Sequence, residues 1–280
     1  MKEHNALIQQ NKDIQTVCYQ GLPFSYSEAA ARFLFSEKTL IHNKTFEGVF
    51  KDVYDNIADV GVVPIENSTA GYVNEIYDLL LKYDLYVNYN YIKKIEHCIA
   101  GTPDSNYEDI KEVYSHPQAI MQCREYIDKH GFRAVNDANT AVAAQRIMQL
   151  NNKSIACICS PEAANHYGLK IYEKQINHKE NYTRFGAISK YLLSEKCHNR
   201  ISIVFKIPNN AGALNKVLSI FSNHNVNLSS IYSRPDLNNP WKYLFYLDFE
   251  GNILKDDIID ILNQLREDLP FIKVLGSFEA

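Results

Sequence analysis

The sequence predicts a two-part α/β protein, with stacked βαβ units over roughly its first 190 residues and a small βαββαβ domain behind them. Three observations lead there. Short β-type runs alternate with helix-type runs through the first part. The stretch Ser194-Glu195-Lys196-Cys197-His198-Asn199-Arg200 is a polar break without apolar periodicity, and beyond it a strand-helix-strand-strand-helix-strand pattern begins. The 280 residues also exceed what a single hydrophobic core usually organises.

In chain order, strands are expected over 16–19, 60–65, 85–91, 96–100, 112–114, 134–136, 155–159 and 184–192, with helices starting near Ser25, Ala70, Pro117, Thr140 and Pro161. Local chemistry fixes four of those starts. Ser25-Tyr26-Ser27-Glu28 fits a capping box, in which hydroxyl and carboxylate satisfy the first free backbone donors reciprocally. Ser160-Pro161-Glu162 offers a capping hydroxyl and then Pro at the first helical position, where its missing N–H costs nothing. Ser115-His116-Pro117-Gln118 repeats that arrangement within a residue, and Asn139 precedes the Ala-rich helix from Thr140. In the second part the expected order is strand 201–207, helix 212–224, strands 228–232 and 243–250, helix 255–267 and strand 271–275. This is the ferredoxin-like order, whose open sheet edge and exposed helices commonly serve pairing and ligand sensing.

Composition removes several classes of function. Apolar residues make up 46% and charged residues 22%, as in an ordinary globular protein. The net charge is -4 and no window gathers Lys and Arg into a stripe for phosphate neutralisation, which argues against nucleic acid. The polar start of the chain and the lack of any run near the roughly twenty apolar residues of a membrane span lead us to expect a cytoplasmic protein without membrane contact. Six cysteines contain no CxxC pair and nine histidines no HxxxH or HExxH spacing, so reduced thiols are expected and a structural zinc site is not, and no cofactor motif is present to call for a cofactor.

Helix starts after the strands at Val60, Glu112 and Ala134 are expected at carboxyl ends of strands, where an open α/β sheet binds anions on free N–H groups. Any one such start can equally be purely structural. Three segments depart from what packing would choose. Val62-Val63-Pro64-Ile65-Glu66-Asn67-Ser68-Thr69-Ala70-Gly71 ends a buried-type strand in polar residues, among which Glu66 and Asn67 could simply cap a helix starting near Val73. Gln118 and Gln122 lie four apart, on one helix face, and suit a carboxylate or carbonyl. In Asn181-Tyr182-Thr183-Arg184-Phe185, Arg184 could pair with a surface acid and Thr183 could be an ordinary β-former.

Read together, these segments resemble the prephenate dehydratase family: residues 61–73 match its GxxPIENSxxG run, Ser115-His116-Pro117-Gln118-Ala119 with Gln122 and Cys123 its SHPQAxxQC run, and Asn181-Tyr182-Thr183-Arg184-Phe185 its NxTRF run. Gly21-Leu22-Pro23-Phe24-Ser25, residues 156–164 and Tyr167-Gly168-Leu169 are also similar, in the same order from about 17 to 193. The C-terminal part resembles the ACT domain that follows in that family, through Gly212-Ala213-Leu214, Asn227-Leu228 and Ser233-Arg234-Pro235. Ala211 and Tyr232 stand where the family usually has Pro and Glu, which leaves open whether phenylalanine inhibits.

The resemblance implies a two-lobed catalytic region, 14–193, like the type II periplasmic-binding fold, with lobe 1 at 14–92 and 177–193 and lobe 2 at 93–176, followed by an ACT regulatory domain at 200–280. It implies decarboxylating dehydration of prephenate to phenylpyruvate, without a cofactor, in phenylalanine biosynthesis. Arogenate dehydration is the alternative, and a non-enzymatic amino-acid sensor a more distant one. Thr183 is carried over as the donor to the leaving hydroxyl. Substrate binding falls to Asn67, Ser68, Ser115, Gln118, Gln122, Thr140, Asn181, Arg184 and Phe185, with Arg184 either a carboxylate ligand or part of a structural salt bridge. L-Phenylalanine is the expected effector, held by Gly212, Ala213, Leu214, Asn227, Leu228, Ser229, Ser233 and Arg234 between paired subunits of a homodimer or homotetramer. A fused chorismate mutase is not expected.

Overall fold

The computed structural model describes residues 14–177, 180–236, 239 and 241–279. The element order is β1 (Thr16–Gln20), α1 (Tyr26–Leu34), β2 (Thr39–Asn43), α2 (Phe46–Tyr54), β3 (Val60–Asn67), β4 (Gly71–Tyr72), α3 (Asn74–Lys82), β5 (Tyr86–Lys94), β6 (Cys98–Gly101), β7 (Glu112–Ser115), α4 (Pro117–Gln122), α5 (Arg124–His130), β8 (Arg133–Asn136), α6 (Thr140–Leu150), β9 (Ile155–Cys159), α7 (Pro161–His166), β10 (Lys170–Lys174) and β11 (Tyr182–Ser189). Then come β12 (Arg200–Lys206), α8 (Ala213–Asn223), β13 (Leu228–Pro235), β14 (Tyr243–Glu250), α9 (Asp256–Asp268) and β15 (Phe271–Phe278). Two compact units result, one from Gln15–Tyr77 and Tyr91–Phe185, the other holding Asp78–Asn90 and Gly186–Ala280.

The first unit contains two sheets. One runs β11-β3-β1-β2, with β1 parallel to both β2 and β3. The second runs β10-β6-β9-β7-β8, parallel from β9 through β7 to β8 and antiparallel at β6 and β10. The central strand β9 is wholly buried and β3 nearly so, which is why 155–159 and 60–65 read as largely apolar runs, the polar Glu66 and Asn67 following at the end of β3. The Ser25, Thr45, Asn139 and Ser160 side chains each accept from a backbone N–H in the first turn of α1, α2, α6 and α7.

The second unit carries the βαββαβ order as an antiparallel sheet, β13-β14-β12-β15, with β5 added in parallel at Gly276↔Val87. Its core joins Ile203, Phe205, Phe221, Phe249, Ile261 and Leu265 to Tyr86 and Leu192. Gly276 is needed there because a Cβ would come within 2.2 Å of the Val87 carbonyl oxygen. Arg234 forks onto both carboxylate oxygens of Asp78, at 2.8 and 3.0 Å. Lys273 Nζ donates to Leu80 O and Leu85 O and pairs with Asp84.

Several elements differ from the sequence expectation. The helix expected near Ala70 begins at Asn74, because residues 67–72 first fold back as β4 on β3. Asn67 caps no helix: its side chain closes the hairpin turn by accepting from Thr69 N and Ala70 N. Nor does Ser115 cap α4. The cap is His116, whose Nδ1 accepts from Gln118 N, since the alternation of β7 turns Ser115 inward to donate to Ile158 O at 2.6 Å. β2, α2 and β10 were not expected. No helix among the described residues is long and apolar enough to cross a membrane. Cys18, Cys98, Cys123, Cys157 and Cys159 are buried free thiols and Cys197 is exposed.

Candidate active site

A cavity of about 170 Å³ opens in the first unit, lined by Tyr26, Ser27, Pro64, Asn67, Ile95, His97, His116, Gln118, Ala119, Gln122, Asn139, Thr140, Asn181, Thr183 and Phe185. The fold thus brings seven of the residues singled out above to one place: Asn67, Gln118, Gln122, Thr140, Asn181, Thr183 and Phe185. Ser68, Ser115 and Arg184 are not in its lining. Ser68 Oγ accepts from Tyr182 N, Ser115 serves Ile158 O, and Arg184 pairs with Glu66 at 3.0 Å. His97, Tyr26 and Thr69 went unread, since a lone His, a Tyr and a turn Thr gain meaning only from partners remote in sequence.

Asn67, Gln122 and Asn181 of the cavity lining close a ring of hydrogen bonds with Thr69, which is exposed and lies outside the lining. Asn67 Oδ1 accepts from the backbone N–H groups of Thr69 and Ala70, both at 3.1 Å, so its amide orientation is fixed and Nδ2 faces the other way. That nitrogen donates to Asn181 Oδ1 at 2.7 Å and Thr183 Oγ1 at 2.8 Å. Asn181 Nδ2 donates to Gln122 Oε1 at 2.9 Å, Gln122 Nε2 to Thr69 Oγ1 at 2.8 Å, and Thr69 Oγ1 to Asn67 Oδ1 at 2.7 Å. Each member donates to the next, and bonds running in one direction polarise one another. Asn67, Asn181 and Thr183 are all buried, so an unmade bond here would be expensive.

The ring also settles the histidine. Gln122 Oε1 can only accept, so His97 Nε2, 3.1 Å away, carries the proton and Nδ1 is bare, 3.3 Å from the Tyr26 hydroxyl. Burial pushes the His97 pKa down to about 4, and it also lowers that of His116, leaving both rings neutral at pH 7. The Tyr26 hydroxyl donates to Glu96 O at 2.6 Å, and burial raises its pKa well above the usual phenol value. In the protein interior, neighbouring thiols and burial keep Cys98 and Cys159 protonated, and burial with the Cys98 thiol does the same for Cys123.

Thr183 Oγ1 therefore accepts from the Asn67 amide, and its own proton is not used in that bond. None of the lining residues is charged. Away from the cavity, Glu195, Cys197 and His198 bring three donors of metal-ligand type within 4.8 Å of one another, one short of a closed structural zinc site.

Fold and cavity define a two-lobed α/β protein whose cavity is lined by uncharged hydrogen-bonding and apolar side chains. The prephenate dehydratase family profile matches residues 17–191 and the ACT domain profile residues 201–267. The chain belongs to the prephenate dehydratase family and carries a C-terminal ACT domain. It is 34% identical over 279 residues to arogenate dehydratase/prephenate dehydratase 1 of Arabidopsis thaliana, a match covering 94% of this chain and 71% of that protein. Among solved structures it is similar to the prephenate dehydratase of Arthrobacter aurescens in complex with L-Phe, with a TM-score of 0.86 at 28% identity over 95% of this chain and 90% of that one. It is also similar to GqqA, described as a novel type of quorum-quenching acylase, with a TM-score of 0.85 at 27% identity over 95% and 98%.

Proposed function

We propose that the chain converts prephenate to phenylpyruvate in the cavity of the first unit. The observation that carries this is the 2.8 Å bond from Asn67 Nδ2 to Thr183 Oγ1, which leaves the Thr183 proton as the donor. The ring carboxylate of prephenate leaves as carbon dioxide, its bonding pair enters the ring, and the hydroxyl opposite departs with a proton as water. Aromatisation drives the step, so the protein needs only to assist the departing hydroxyl and hold the dianion away from water. Thr183 supplies that assistance, and solvent restores its proton afterwards. Neutral amides and imidazoles suit the task, because strong stabilisation of the leaving carboxylate would oppose its departure.

An acyl-transfer reaction is less well supported, since it needs a nucleophile paired with a base and Thr183 Oγ1 faces an amide donor. Arogenate differs from prephenate in one amino group, and the name of the Arabidopsis relative covers both substrates. Specificity constants measured side by side for the two compounds, by phenylpyruvate and phenylalanine formation, test the reading; turnover of neither refutes it.

We read residues 14–193 as catalytic and 200–280 as regulatory, with L-phenylalanine as effector; a relative with L-Phe in its structure and the ACT match support this. Gly212, in a left-handed conformation with φ 82°, immediately precedes α8 and brings no side chain to the start of that helix. A cytoplasmic homodimer or homotetramer completes the reading. Titration with L-phenylalanine, followed by activity, melting temperature and sedimentation, tests it; no response in any of the three refutes the regulatory assignment.

A further inference from the structure

We propose that Thr69 and His97 are positioning residues that fix both ends of the Gln122 amide and so hold the Asn181 amide, and through it Asn67, in the geometry that presents the Thr183 hydroxyl. The two ends of a side-chain amide are nearly the same size and differ only in whether they give or accept protons. Were the Asn67 amide turned over, its oxygen would take the Thr183 proton and leave the hydroxyl nothing to give. Backbone donors at Thr69 and Ala70 hold Asn67 against that turn. Among the described residues the Asn181 side chain has no such backbone anchor: its Oδ1 accepts from Asn67 and its Nδ2 donates to Gln122 Oε1.

Gln122 is therefore the support of the Asn181 side chain on the side away from Asn67, and two side chains hold it. His97 Nε2 meets its oxygen and Thr69 Oγ1 accepts from its nitrogen. The His97 backbone is itself held, with its N–H on Asn177 Oδ1 at 3.2 Å and its carbonyl accepting from Ile176 N. Gln122 thus spends both ends of its amide on the protein, and Gln118, on the same helix face of α4, is left as the amide that addresses the substrate.

The inference rests on the dehydratase reading, and its test has an arm that does not use turnover. In the full chain, Thr69→Val and His97→Leu each lower kcat about tenfold, the size of one lost hydrogen bond, with KM within about twofold. Thr69→Ser, which keeps the hydroxyl, restores the rate to within about twofold of the unaltered chain. In a Gln122→Leu background, neither Thr69→Val nor His97→Leu lowers kcat further by more than about twofold, because both act through the same amide. Full tenfold losses in that background, or a loss seen in KM alone, overturn the proposal. The second arm is the nitrogen-15 spectrum of the His97 imidazole at pH 7. A proton on Nε2 and a resonance that moves in Thr69→Val are expected; a proton on Nδ1 overturns the proposal whether or not prephenate is turned over.

Discussion

The cavity floor of the first unit and the apolar core of the second achieve order by different means. Around Phe221, Phe249 and Leu265, any side chain of suitable volume and shape serves, because dispersion and burial have no direction. Around Asn67, Asn181 and Gln122, volume counts for little, since amide and carboxylate are almost the same size and only the sense of each hydrogen bond distinguishes them. Stability and catalysis in this chain should therefore separate under mutation.

The largest effect expected is on the apolar side. Phe221→Ala removes a fully buried ring and costs about 3–5 kcal/mol, read as a lowered urea midpoint, with kcat of the remaining folded protein unchanged. Thr183→Val is the mirror image, keeping shape and losing the donor. It lowers kcat about 100- to 1,000-fold, equivalent to about 2.7–4 kcal/mol, and leaves the melting temperature nearly unmoved. Retained activity in Thr183→Val, or lost activity in Phe221→Ala at full folding, would erase the contrast.

His97 tests where the two regimes meet. Its folded pKa, about 4, lies below the unfolded value of 6.5, so the native state binds fewer protons than the unfolded chain in that interval. The associated stability is complete above pH 6.5 and falls as acid is added, by a total of about 3 kcal/mol once pH 4 is passed. Melting temperatures from pH 8 to pH 4 should show that decline, and His97→Asn should remove most of it. The smallest effect belongs to the Arg234 fork. With the Asp78 side chain 41% exposed, Arg234→Met costs only about 1 kcal/mol, and Asp78→Asn added to it costs almost nothing more.

How much of this could be read from the chain depends on how local each cause is. Ser25 and Ser160 announced their helices because a cap acts within three residues. The three segments that meet in the cavity were legible as motifs, and the βαββαβ order as hydrophobic pattern. β2 and β10 were not, since both are edge strands with few buried positions and little apolar alternation. The hairpin after Asn67 was hidden because a side chain captured the backbone donors that a helix start would have used. His97 was hidden for a different reason: its role is a bond to a residue 25 positions away, and nothing beside it in the chain records that.

The close approach of Gly276 to Val87 also bears on any attempt to study the two family regions separately. A shortened chain ending before β12 would strip β5 of its parallel neighbour, free the Leu80 and Leu85 carbonyls from Lys273, and bare Tyr86 and Leu192 to water. Such a fragment would present a sticky strand edge and tend to self-associate in solution, so failure to isolate it would report on a missing seam rather than on an inability of its remaining parts to fold.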